Sequence, residues 1–383
     1  MMFTCVTPGC AQSGHYHPGH PAMAYSSRGP AKGSRTKKQA KPVVRDRKGR
    51  SLRVDIHCHY LNKDAAARMA PLNPAQYEPQ IKFANALTRE VNVKQMQDRG
   101  PKLSTIELRL KDMDRMGVDI QAVSPAPQQT YYWAEPGLGL EVSRMINDRL
   151  AEIVAQWPDR FVGLGTVPLQ NVELAVGELE RCVKQLGLRG VEINPNVAGK
   201  ELTDAGLNLD RFFAKARELD IVIFMHPTGF TQGERLMDHY FNNLIGNPLD
   251  TTVGTSYLIF GGVMERHPGL KIVLPHAGGF LGHYWARMDH GWRARPDCRT
   301  IIKKAPTSYL KKFYFDTITF DPEMLRNLID KFGPRQVLLG TDYPFDMGEE
   351  DPVGLINSVP RLSSADKRKI MGDTAARLLK IRR

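Results

Sequence analysis

From about residue 53 onward, short runs of β-branched and apolar residues alternate with longer stretches whose apolar positions recur at helical spacing. The strand candidates are Val54–Cys58, Ile120–Ser124, Phe161–Val167, Gly190–Asn194, Ile221–His226, Lys271–His276, Phe313–Thr317 and Val337–Thr341. Between them lie helical stretches such as Ser104–Met116, Leu140–Gln156, Val172–Leu186, Leu209–Leu219, Thr252–Arg266 and Pro322–Lys331. Eight strands alternating with helices predict parallel βαβ units, and a chain of 383 residues has room to close them into one (β/α)8 TIM barrel of the α/β class. A doubly wound open sheet is the competing architecture. It normally carries a glycine-rich phosphate turn after its first strand, where this chain has His57-Cys58-His59. The barrel is the better fit.

Two segments break the alternation. Residues 60–103 form a long polar insertion with little regular period. On a barrel, the loop after a strand lies on the catalytic face, so this one is expected to be a lid or substrate-recognition segment, or else a structureless excursion. Residues 1–50 are rich in Gly, Pro, Ser and Lys and carry no apolar period. They are expected to be a disordered basic tail, with residues 51–383 as the catalytic domain. The tail lacks the apolar core of a secretory signal, and reads as a loose targeting peptide or an upstream start. Its Cys5, Cys10, His15, His17 and His20 match no common zinc-finger spacing.

The net charge of +12 suggests a nucleic-acid partner until it is located. Residues 1–50 hold ten Lys or Arg against the single acid Asp46, which leaves only +3 for the other 333 residues. The basic character belongs to the tail, so no nucleic-acid partner is expected. The hydrophobic content of 42% suffices for a large core. No stretch approaches the ~18 uninterrupted apolar residues of a membrane helix, so no membrane partner is expected. Five scattered cysteines do not resemble a disulfide framework and suit a cytoplasmic protein.

Candidate chemistry gathers where strands end. His57 and His59, two apart on the first strand, point the same way and make a pincer for a divalent ion at the C-terminal rim. His226 ends the fifth apolar run, His276 the sixth, and Asp342 follows the eighth. Any one of them alone could be a structural hydrogen-bonding group; together on one rim they point to a shared ion. Asp55 is expected to face away from the pair, into packing, or to orient a ligand from behind. His239, His267, His283 and His290 fall in helices or turns and read as structural or surface residues.

These residues resemble the amidohydrolase superfamily, and within it the branch containing aminocarboxymuconate-semialdehyde decarboxylase. The resemblance covers about residues 53–381. It rests on Asp55-Ile56-His57-Cys58-His59, Phe161-Val162-Gly163-Leu164-Gly165-Thr166, His226-Pro227, His276-Ala277-Gly278-Gly279 and Leu339-Gly340-Thr341-Asp342-Tyr343-Pro344-Phe345. It implies that His57, His59, His226 and Asp342 bind one divalent metal, Zn²⁺ first and Mn²⁺ as the alternative. His276 would then act, with Asp342, in proton transfer at a metal-bound water. It also implies a homodimer and arginines that grip a substrate carboxylate. Arg287 or Arg295 would be lent by the neighbouring subunit, and Arg89 or Arg99 would come from the same chain. One departure stands out: related decarboxylases place Trp after the His-Pro of strand five, whereas this chain has Thr228. Phe230 or Trp133 is the expected substitute for that aromatic wall.

The function implied is non-oxidative decarboxylation of a small carboxylic acid resembling a carboxymuconate semialdehyde or a hydroxybenzoate. The same parts would serve a hydrolase of a lactone, amide or ester, which is the alternative. A third reading is a metal-binding barrel without catalysis.

Overall fold

In the computed structural model, which describes residues 50–381, eight parallel strands form one sheet in sequential order. They are β1 (Val54–Tyr60), β2 (Ile120–Pro125), β3 (Phe161–Thr166), β4 (Gly190–Ile193), β5 (Val222–Met225), β6 (Lys271–Leu274), β7 (Tyr314–Asp316) and β8 (Val337–Leu338). The sheet closes on itself. Ile56 N–H donates to the Leu339 carbonyl at 2.9 Å, His59 N–H to that of Tyr343 at 2.8 Å, and Asp342 N–H to that of His57 at 2.8 Å. This is the (β/α)8 barrel expected from the alternation, with each strand found where an apolar run was read. Six of the eight strands end one to three residues before the runs do, whereas β1 and β2 continue one or two residues past theirs.

The expected basic tail and its Cys/His cluster lie outside the described residues, apart from Arg50, whose guanidinium pairs with Asp119 at 2.6 Å. Among the described residues no helix is long and apolar enough to cross a membrane.

The core has two layers. Inside the barrel, Val54, Ile56, Ala122, Val162, Leu164, Val222, Phe224, Val273 and Leu338 pack together, and Ala375, Leu379 and Ile381 of the C-terminal segment join them. Outside, the strands pack on amphipathic helices. The Val172–Lys184 helix buries Ala175, Glu178, Leu179 and Cys182, which recur at three- and four-residue steps. Asn171 and Asp321 cap the first turns of the helices that follow them by accepting from Leu174 and Met324 N–H, an arrangement worth about 1 kcal/mol each.

One irregularity in β1 decides where the site's side chains point. Strict alternation would put Asp55 on the same face as His57 and His59. Between Asp55 and Cys58, however, β1 advances three residues while β2 advances two, from Gln121 to Val123. This bulge reverses the alternation. Val54 and Ile56 therefore face the interior below, and His57 and His59 face it above. Asp55 lies on the outer side, where the bulge and not the alternation puts it, fully buried, accepting from Gln121 Nε2 at 3.0 Å and Thr341 Oγ1 at 2.7 Å.

The polar insertion is not structureless. It folds into helices Lys63–Met69, Pro79–Lys82 and Ala86–Ser104, joined by two short 3₁₀ turns. Gln80 N–H donates to the Thr228 carbonyl at 3.3 Å, which ties the insertion to the loop after β5.

Candidate active site

The strand ends bring His57, His59, His226, His276 and Asp342 to one place. His57, His226, His276 and Asp342 each offer one ligand atom, and these atoms lie within 4.8 Å of one another. His59 adjoins the same point. Its Nε2 is 3.1 Å from His57 Nε2 and 3.2 Å from Asp342 Oδ1. His57 Nε2 is also 3.2 Å from Asp342 Oδ1, yet that oxygen, fully buried, satisfies no hydrogen bond. We read these short approaches as convergence on a shared centre, since nitrogen lone pairs this close repel one another.

The tautomers carry the same message. His57 Nδ1 lies 2.7 Å from Asp316 Oδ2, His59 Nδ1 lies 3.0 Å from the Pro125 carbonyl, and His226 Nδ1 lies 2.7 Å from the Pro227 carbonyl. Each partner only accepts, so each Nδ1 carries a proton and each Nε2 is left to face the shared centre. His226 Nε2 is buried without a partner. Imidazoles with Nδ1 committed to an oxygen and Nε2 free are the form that ligates metal. The donor set of nitrogens and one carboxylate fits a divalent ion such as Zn²⁺.

The electrostatics favour a cation at this point. Burial works against a charge on His57, but the carboxylates of Asp342 and Asp316 outweigh it and raise its pKa to about 10. His59 is raised as well, Asp342 and Glu192 overcoming its burial. Burial, with His59 and His57 alongside, pushes His226 well below its ordinary value. Asp342, despite burial, is held well below the usual carboxylate range by His57, His276 and His59.

Backbone geometry holds the site. His276 (φ 52°), Ala277 (φ 55°) and Asp342 (φ 56°) sit in the left-handed region, which costs L residues energy unless neighbours hold them. The Asp316 carboxylate accepts from His276 N–H at 2.9 Å and Ala277 N–H at 2.7 Å. Gly340 has no side chain for a reason: a Cβ there would stand 2.9 Å from Asp316 Cβ and 3.1 Å from His57 Cβ. A cavity of about 220 Å³ opens over His226 and Asp342, roofed by Gln80, Ile81, Asn92 and Met96 of the insertion.

The family model for amidohydrolases matches residues 54–381. The chain belongs to the amidohydrolase family. It is 37% identical over 274 residues to 2-amino-3-carboxymuconate-6-semialdehyde decarboxylase of Dictyostelium discoideum, covering 71% of this chain and 76% of that protein. Among solved structures it resembles 5-carboxyvanillate decarboxylase from Sphingomonas paucimobilis, with a TM-score of 0.77 and 25% identity, covering 87% of this chain and 100% of the other. It also resembles a dihydroxybenzoic acid decarboxylase from Polaromonas, solved with manganese and the inhibitor 2-nitroresorcinol. There the TM-score is 0.74 at 25% identity, covering 87% of this chain and 98% of the other.

Within this amidohydrolase site, the substrate-gripping residues fall differently from expectation. Arg89, Arg287 and Arg295 are exposed in the single chain and line no part of the cavity; Arg295 pairs with Asp297 at 2.8 Å. Arg99 is turned to the Pro344 and Phe345 carbonyls, at 3.3 and 3.2 Å, and braces the loop behind Asp342. Trp133 does not wall the metal-side cavity. It stacks on Tyr77 at 4.2 Å and lines an adjoining one. Phe230 lines neither, its backbone N–H being held by Asn242 Oδ1 at 2.9 Å.

Three residues that sequence reasoning passed over belong here. Asp316 orients His57 and pins the turn at His276. Glu192, completely buried on β4, has a carboxyl oxygen 3.5 Å from His59 Nδ1, too long for a good hydrogen bond but close enough to act through charge. Arg109, also completely buried, donates to the His59 carbonyl and to Gln121 Oε1, and lies over the Tyr343 ring. Asp316 carried a readable signal, since an acid ending an apolar strand is the pattern that singled out Asp342.

Proposed function

We propose that the protein is a metal-dependent, non-oxidative decarboxylase, a carbon–carbon lyase acting on a hydroxybenzoate-like or carboxymuconate-semialdehyde-like acid. The observation that carries this reading is the set of three imidazoles with Nδ1 committed and Nε2 free, converging with Asp342 under a small cavity. The relatives that share the fold are named decarboxylases.

His57, His59, His226 and Asp342 would hold the ion, with His276 completing the tight set or moving protons beside it. A bound divalent metal supplies a Lewis acid that fixes an acidic oxygen of the substrate and makes a bound water more acidic. Zn²⁺ is the ion the donor set favours, with Mn²⁺ the alternative. The remaining chemistry falls to side chains. His276 Nε2 lies 3.7 Å from Asp342 Oδ2, too long for a direct hydrogen bond, so a proton would pass between them through one water or after a small side-chain movement. Delivery of that proton to the carbon bearing the carboxylate breaks the ring's or diene's conjugation. The C–C bond to the carboxylate then cleaves, its electron pair restores the conjugation, and carbon dioxide leaves without a free carbanion.

We further propose a homodimer. Among the described residues no Lys or Arg lines the metal-side cavity, while Arg287 lies exposed three residues after Tyr284, itself 66% exposed. A neighbouring subunit burying that surface would bring Arg287 to a substrate carboxylate. Cys58 and Cys182 are buried free thiols, which supports a reducing cytoplasm. With the basic charge confined to the tail, the partner is a small-molecule acid and not a nucleic acid or a membrane.

The test is a panel of hydroxybenzoates and carboxymuconates offered to the metal-loaded protein, with trapped carbon dioxide and titratable acid measured together. Carbon dioxide in step with substrate loss is the expected outcome. Ring opening or acid production without carbon dioxide would show the hydrolase instead.

A further inference from the structure

The metal-side cavity has a neighbour. A second cavity of about 320 Å³ lies against it, and Glu78, Gln128 and Thr228 stand in the walls of both. Thr228 follows His226-Pro227 directly, so the two cavities meet one short step along the chain from His226. The smaller cavity alone falls short of the roughly 300–1,000 Å³ usual for small-molecule sites, whereas the two together fall inside it.

The chamber's lining is chemically specific. Tyr77 and Trp133 stack face to face, 4.2 Å apart and 13° from parallel, and Tyr131 meets Trp133 edge-on at 6.0 Å. Asn194 Oδ1 is buried without a partner and the Gln232 amide also lines the chamber, whereas Thr130 and Asn196 are held by Pro127, Asn194, Gly199 and Asp250. An aromatic wall suits a planar conjugated face, and neutral polar groups suit hydroxyls or amides. Lys82 also lines this chamber, exposed, with its ammonium over the Phe83 ring at 4.9 Å. At the junction, no side chain among the described residues pairs with the Glu78 carboxyl, and burial alone pushes its pKa up to about 7. A half-desolvated acid without a partner is a hydrogen-bond site that a ligand can complete, and it repels a second carboxylate.

Resting on the decarboxylase reading above, we propose that the second chamber is a subsite for a distal arm of the substrate. The arm is planar and aromatic or conjugated, carries hydroxyl or amide groups and no negative charge, and gives Glu78 a hydrogen bond as it passes from one cavity to the other. The substrate class is then an extended hydroxyaryl acid, with its carboxylate end at the metal and its neutral polar end between the Tyr77–Trp133 stack and the amides opposite.

The test uses the full-length, zinc-loaded protein and three acids: 2,6-dihydroxybenzoate, the same acid bearing a 4-hydroxyphenyl substituent, and the same acid bearing a 4-carboxyphenyl substituent. Binding is measured by calorimetry and carbon dioxide release separately. The hydroxyphenyl acid is expected to bind about tenfold more tightly than the compact acid, and the carboxyphenyl acid less tightly than either. Glu78→Gln and Tyr77→Ala should each cut the extended-to-compact affinity ratio by roughly tenfold. An extended acid that fails to bind, or a ratio that neither variant moves, overturns the subsite. If the extended acid binds as expected but no acid releases carbon dioxide, the reaction assignment fails and the subsite stands. If carbon dioxide is released while the variants leave the ratio unmoved, the reaction stands and the subsite falls.

Discussion

Asp316 and His57, 259 residues apart in sequence, meet 2.7 Å apart in the floor of the site, both completely shielded from solvent. The carboxylate fixes the His57 tautomer through Nδ1 and, through two backbone N–H groups, also holds the left-handed turn at His276. Removing it therefore loosens His57, the proposed ligand, and the turn that carries His276 together. Asp316→Asn should weaken metal binding about 10–100-fold, with Asp316→Ala losing more, as read by dialysis against a graded chelator and elemental analysis. Unchanged metal affinity in both variants would separate Asp316 from the site.

The buried, unpartnered Nε2 of His226 is the atom through which the proposed ion would be held. His226→Ala should leave a folded protein with metal content well below one ion per chain. Asp342→Asn removes the negative charge of the proposed ligand oxygen and the carboxylate facing His276, and carbon dioxide release should fall by roughly 10²–10⁴-fold. Full metal occupancy and turnover in either variant would move the site elsewhere.

Asp250 gives a pH dependence unconnected with the ion. It is 4% exposed, accepts from Asn196 Nδ2 at 3.1 Å on both oxygens, and has its pKa pushed up to about 8 by burial and then by Glu201. An unfolded aspartate titrates near ~3.9. Between about pH 4 and about pH 8 the folded chain thus keeps a proton that the unfolded chain has released, so stability falls as pH rises through that window. Asp250→Asn removes the titrating group. Thermal melts from about pH 5 to about pH 8 should show a steeper fall in Tm for the wild type than for the variant. Parallel curves would contradict the assignment.

If Arg287 serves the neighbouring subunit's site, two defective chains can repair each other. Arg287→Ala and His276→Ala proteins, each nearly inactive, should regain about a quarter of wild-type activity when unfolded together and refolded as mixed dimers. Light scattering on the wild type should give the mass of two chains. A monomer, or a mixture no more active than its parts, would remove the shared arginine.

The barrel was legible because its strands are buried on both faces and read as short, continuous apolar runs between amphipathic helices. The rim was legible because His226, His276 and Asp342 each interrupt such a run where it ends. The bulge between Asp55 and Cys58 was not, since it is a mismatch with β2 and appears only when the two strands are paired. The insertion's helices escaped notice for a different reason. Leu87 (67% exposed) and Val91 (52% exposed) on the Ala86–Ser104 helix face outward, so its sequence shows no apolar stripe toward a core. The arginines could not be placed because their position depends on loops and, if the proposed dimer forms, on a second chain for Arg287.

The most direct test of the central claim is single-turnover release of labelled carbon dioxide from a carboxyl-¹³C hydroxybenzoate, in protein stripped of metal and in the same protein after zinc or manganese is restored. Labelled carbon dioxide should appear only in the restored protein, one molecule for each acid consumed. Release at equal rate from the stripped protein, or consumption of the acid with its label retained in the product, would contradict metal-dependent decarboxylation.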